Sequence, residues 1–72
     1  MKLKINGEIK TIEKSNGEFL LESLIEILGY KPQLVVVELN GEIINPKVWI
    51  NTKIKNGDCL EVVTIVGGGS YS

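Results

Sequence analysis

Residues 2–6, Lys-Leu-Lys-Ile-Asn, alternate polar and apolar, which is the period of a strand with one face buried. Leu3 and Ile5 then face a core, and Lys2 and Lys4 face water. Asn6-Gly7 predicts a tight hairpin, because both residues tolerate positive φ. Glu8 to Glu13 reads as the returning strand. Ile9 and Ile12 are out of phase there, so a bulge or an early end is expected. Ser15-Asn16-Gly17 breaks the pattern. From Phe19 to Leu28 the period changes. Leu21, Leu24, Ile25 and Leu28 follow the i, i+3, i+4, i+7 spacing of one helical stripe, with Glu22 and Glu26 on the opposite face. Ser15 or Asn16 is placed to cap that helix and Glu18 to favour its first turn. Gly29 suits a left-handed stop, and Pro32 prevents resumption.

Leu34-Val35-Val36-Val37-Glu38-Leu39 is β-branched and too short for a helix, so it predicts a central strand. Asn40-Gly41 marks a second hairpin, with Glu42-Ile43-Ile44 as a short return strand. Asn45-Pro46 opens an irregular stretch through Trp49, and residues 52–55 suggest a minor edge segment. Asn56-Gly57-Asp58 is a third turn before the longest strand, Cys59 to Val66. The order is β-β-α-β-β-β. One amphipathic helix and one mixed sheet of four to five strands bury each other's apolar faces, an α+β, two-layer domain. The first and last strands lie parallel in the middle of the sheet, which is the β-grasp pattern of ubiquitin-like proteins. Residues 1–66 form this domain, and residues 67–72 are expected to be a flexible glycine-rich tail.

With 72 residues the chain is one domain, without room for a deep interdomain pocket. An enzyme with its own complete active site is therefore not expected. No histidine is present, so the commonest general base and metal ligand is missing. The single cysteine, Cys59, makes neither an intramolecular disulfide nor a CxxC site. A fold held by packing alone suits a reducing cytoplasm, the expected location. Net charge is −1, so no basic excess supports nucleic-acid binding. No apolar run is long enough to span a membrane, and the opening residues do not resemble a signal peptide.

The last strand carries Leu60, Val62, Thr64 and Val66 on one face and Cys59, Glu61, Val63 and Ile65 on the other. Burying Glu61 unpaired is costly, so its face is the wet one. Val63 and Ile65 then stand in water, and Val36 joins them in phase with Glu38. Scattered surface hydrophobes are normal; a docking patch for a protein partner, formed by Val36, Val63 and Ile65, is the alternative. Gly67, Gly68 and Gly69 follow directly. No helix follows them, so a phosphate-cradling loop is excluded. Three glycines reach ~10 Å, and residues 67–72 about 20 Å. A chain without Cβ atoms can thread a channel that bulkier sequence blocks. Cys59 has Asp58 and Glu61 beside it, which disfavour a reactive thiolate. Trp49 and Phe19 suit a core, and Tyr30 a lid on its edge. Glu8, Glu13, Glu18, Glu22 and Glu26 suit a solvated acidic surface.

The ordered set Ile5-Asn6-Gly7-Glu8, the leucine-rich helix ending at Gly29, residues 37–43, Lys55-Asn56-Gly57-Asp58 and Ile65-Val66-Gly67-Gly68-Gly69 resembles the ThiS/MoaD family of ubiquitin-like sulfur carrier proteins, over residues 1–69. The thiamine-pathway branch is the nearest in pattern. The resemblance implies that the chain binds no cofactor and is a protein co-substrate. An E1-like adenylating enzyme would use ATP and magnesium to activate a terminal glycine carboxylate. A sulfur donor, a cysteine desulfurase or a persulfide protein, would convert it to a thiocarboxylate. Thiazole synthase or another acceptor would then take the sulfur. Alignment of the glycines makes Gly69 the sulfur-bearing residue, with Gly67 and Gly68 threading the partner's channel. Ser70-Tyr71-Ser72 place Gly69 inside a peptide bond, a departure from the family's functional ending. Removal by a JAMM-type protease is one explanation, and an inert tail is another. Molybdopterin or methionine and cysteine pathways, a ubiquitin-like modifier and a β-grasp interaction module are the competing readings.

Overall fold

A computed structural model of the chain describes residues 1–13 and 19–65. Its elements run β1 (Lys2–Ile5), β2 (Glu8–Thr11), α1 (Leu21–Ile27), a 3₁₀ turn at Pro32–Leu34, β3 (Val35–Leu39), β4 (Glu42–Ile43), a 3₁₀ segment at Pro46–Asn51 and β5 (Cys59–Thr64). The sheet order is β2-β1-β5-β3-β4. β1 and β5 are parallel and central, and the other pairings are antiparallel. This is the β-grasp fold read from the hydrophobic pattern. A parallel central pair requires a long crossover, and here the whole middle of the chain, with α1, supplies it.

Both two-residue hairpins form where Asn-Gly stands. Ile5 pairs Glu8 across the first and Leu39 pairs Glu42 across the second. Asn6 and Asn40 take φ of 52° and 51°, and the following glycines 84° and 89°. Two successive positive φ values define the type I′ turn, whose twist matches that of the flanking strands. β2 ends early, at Thr11. Ile12 then turns into the core, and its N–H donates to the Met1 carbonyl at 2.8 Å.

The helix is shorter than its apolar stripe. Phe19 and Leu20 do not join it, because Leu20 is extended and bridges antiparallel to Lys53. The Leu21 N–H donates to Thr52 O, and the Ile54 N–H to Phe19 O. The N-cap is Leu20, with no side-chain cap bond. The capping roles expected of Ser15, Asn16 and Glu18 fall outside the described residues; Glu22 is the acid in the first turn. The minor edge segment expected at residues 52–55 is this bridge and not a sheet strand. At the other end, Gly29 takes φ +84°. Its N–H donates to Glu26 O and the Tyr30 N–H to Ile25 O, the paired bonds of a Schellman stop.

Leu21, Leu24 and Ile25 of α1 are fully buried against Leu3, Ile5, Val37 and Leu60 of the sheet. Trp49 closes the core from the 3₁₀ segment, where the sequence suggested irregular chain. Its indole N–H donates to Ile44 O at 3.0 Å, so the ring is buried without an orphaned donor. Phe19, Leu28 and Tyr30 pack on the core's rim.

Candidate functional site

β5 is the strand that precedes the glycines in sequence, and asparagine side chains grip it at its start and at Val62. The Asn6 amide accepts from Val62 N at 2.7 Å and donates to Val62 O at 3.2 Å. One side chain thus mimics a peptide unit and adds a rung to the β1–β5 ladder after β1 has ended. At the strand's start, Asn40 accepts from Cys59 N at 3.0 Å and donates to Asp58 Oδ1 at 3.1 Å. The other Asp58 oxygen accepts from Lys55 N. Asn6 and Asn40 therefore serve twice, in a hairpin and in a clasp on β5. The sequence shows only the first role.

The register places each side chain on a face. Leu60 and Val62 point to the helix and are buried. Cys59, Glu61 and Val63 point to the open face, as the position of Glu61 implied. Val36 stands directly opposite Val63, and Glu38 directly opposite Glu61. Of the expected docking patch, Val36 and Val63 come together with 38% and 60% of their surface in water. Ile65 lies one residue past β5, its N–H bound to Leu34 O at 2.6 Å, and is 38% exposed. It does not line the depression that the other two share. That depression, about 340 Å³, is lined by Val36, Glu38, Ile43, Glu61 and Val63. Ile43 was missed as a member. It is 67% exposed and pairs with Glu38 across the second hairpin. The signal was present: a two-residue turn that closes on Leu39 and Glu42 sets Glu38 opposite Ile43. A second apolar depression of about 320 Å³ adjoins on the β4 side, lined by Val35, Val36, Ile43, Ile44, Asn45 and Pro46.

Cys59 is half-buried with a free thiol and stands opposite Lys4. Among the described residues, no group of three His, Cys, Asp or Glu side chains is placed to hold a metal ion. Nor is any described helix long and apolar enough to cross a membrane. Gly67, Gly68 and Gly69, the expected threading and sulfur-bearing residues, lie outside the described residues, as do Val66 and Ser70-Tyr71-Ser72. The described surface carries an exposed, partly apolar depression on the open face of β5, the strand that precedes them in sequence.

The family model described as the ThiS family matches residues 3–69. The chain is similar to the crystal structure of a thiamine biosynthesis protein (ThiS) from Geobacter metallireducens. That likeness has 31% identity and a TM-score of 0.80, over 96% of this chain and 100% of that one. A thiazole synthase of Paramagnetospirillum magneticum is 39% identical over 97% of this chain, but the match spans only 21% of that protein's length. The uncharacterized protein ycf40 of Pyropia yezoensis is 36% identical over 93% of this chain and 90% of its own. A match that runs from the first strand to Gly69, joined to the same sheet and helix in a solved relative, establishes that the chain belongs to the ThiS family of ubiquitin-like sulfur carrier proteins.

Proposed function

We propose that the chain is a sulfur carrier of thiamine biosynthesis that bears sulfur as a thiocarboxylate on Gly69. One observation carries the reading. The family match ends on Gly69, the last of three glycines reached directly from the central strand β5. A carrier needs such an end, because its reacting atom must enter another protein's active site while its own domain stays outside. Support for the acceptor comes from the thiazole synthase of Paramagnetospirillum magneticum, in which about a fifth of the length resembles this chain.

The chemistry needs no base, acid or metal from the carrier. Gly69 is followed by Ser70, so its carboxylate is first released by hydrolysis of the Gly69–Ser70 peptide bond, the role of a JAMM-type protease. The free carboxylate is a poor electrophile. In the active site of an E1-like enzyme, with ATP and magnesium, it attacks the α-phosphorus. Pyrophosphate leaves, and the product is an acyl-adenylate. The terminal sulfur of a persulfide, supplied by a cysteine desulfurase or a persulfide protein, adds to the acyl carbon and AMP leaves. A thiol then reduces the acyl disulfide and frees the thiocarboxylate. That sulfur passes to the thiazole synthase. The carrier contributes position: β5 is paired on both sides at its start, Asn6 holds it at Val62, and β3 pairs with it as far as Thr64.

The test is the intact mass of two chains, full-length and ending at Gly69. Each is incubated in native extract with ATP, magnesium and cysteine. The expected result is loss of Ser-Tyr-Ser from the first and replacement of one oxygen by sulfur in both. Thiolation of the shorter chain alone identifies the three residues as a block that the extract does not remove. No mass change in either chain overturns the carrier reading. Isopeptide adducts on other proteins replace it with a modifier.

A further inference from the structure

Glu38 and Glu61 stand directly opposite one another on the open face. Like charges placed there repel and weaken a sheet. Among the described residues neither carboxylate pairs with a lysine or accepts a hydrogen bond. Of the two lysines of the neighbouring strand β1, Lys4 stands opposite Cys59 and Lys2 lies further from the pair along the strand. The two acids also share their depression with three exposed aliphatic side chains, Val36, Ile43 and Val63. This combination has a chemical complement. An arginine has an apolar stem and a planar cationic fork that spans two carboxylate groups. An arginine whose stem lay on Val36, Ile43 and Val63 would bring its guanidinium to the acid pair and offset their repulsion.

We propose that this depression receives an arginine side chain of the adenylating enzyme, so that Glu38 and Glu61 set the orientation in which β5 points its glycines into that enzyme. The proposal rests on the carrier reading and adds the chemistry of the contact. It also assigns the acid pair a cost in the free chain and a gain in the complex, which is opposite to a structural role.

The experiment compares wild type with E38Q/E61Q in two measurements. The first is the thermal midpoint of the full-length chain. The variant is expected to melt at the same temperature as wild type or higher, because repulsion is lost. A lower midpoint makes the acids structural and overturns the proposal. The second is pyrophosphate release by a purified E1-like enzyme acting on chains ending at Gly69. The expected result is a KM roughly tenfold higher for the variant with kcat unchanged. Wild-type KM is expected to rise with added salt, and that of the variant to stay nearly flat. Equal KM values and equal salt responses overturn the arginine contact while leaving the carrier reading intact. No turnover of wild type by any such enzyme removes the carrier reading, and the proposal with it.

Discussion

Val62 and Val63 are adjacent, identical in chemistry and opposite in fate. Val62 is 6% exposed and Val63 60%. The difference is one step of the strand's pleat, because successive side chains point to opposite faces. One face of β5 therefore specifies the fold, and the other is free to meet a partner. The sharpest way to break this comparison is to truncate the fold-specifying face. Leu60, fully buried at the centre of the sheet, loses transfer energy and leaves a cavity when cut to alanine. Leu60→Ala is expected to cost about 2–5 kcal/mol, read by urea denaturation. In a 72-residue domain this is a large share of total stability. A loss below about 1 kcal/mol means that the face is not the tightly packed core described.

The second comparison lies between the two hands that hold β5: the backbone of β3 and the side chain of Asn6. Asn6→Asp retains the acceptor for Val62 N but replaces the donor to Val62 O with a second oxygen. An unsatisfied carbonyl facing a carboxylate is expected to cost about 1–3 kcal/mol. Hydrogen exchange at β5 amides should rise beyond the amount expected from the lost global stability. A uniform rise shows that Asn6 supports the whole fold and not the strand end. Gly29→Ala has the next effect, about 1–2 kcal/mol. Beyond its immediate chain neighbours nothing lies within 4 Å of an added Cβ there, so backbone strain at φ +84° is the cause. Gly29→Asn, which tolerates that conformation better, is expected to recover part of the loss.

Much of this organisation is legible in the sequence because the deciding signals are local. Alternation set the faces of β1 and β5, Asn-Gly set both hairpins, and Gly29 set the helix stop. The helix start was misread because its cause is not local. Nothing in Phe19-Leu20 disfavours helix; the backbone of residues 52–54, distant in sequence, claims it. The second use of Asn6 and Asn40 is hidden for the same reason, since each reaches a strand that comes later in the chain. Ile43 was overlooked because a two-residue strand shows no period, although the hairpin register assigned it to the open face. Gly69 is a different matter. Its spacing showed only a thin, threadable segment, and the chemistry assigned to it came from the family resemblance.

The smallest expected effect sharpens the comparison of faces most directly. Val63→Thr keeps the shape, the β-branch and the strand preference of valine and replaces one methyl with a hydroxyl. On a buried face that hydroxyl would lack a partner and cost stability. On the open face water supplies the partner, so the change in unfolding free energy is expected within about 0.5 kcal/mol. Docking responds differently. The substitution removes apolar area from the depression that Val63 shares with Val36 and Ile43. If an enzyme covers that area, its KM for the chain should rise roughly twofold to fivefold, the size of one lost methyl contact. A stability loss above 1 kcal/mol (on the order of a buried hydroxyl) would show that Val63 belongs to the core. A KM unchanged beside intact stability would mean that Val63 stays in water throughout the reaction. The two readouts separate the faces at one position, where Leu60→Ala separates them only by comparing two.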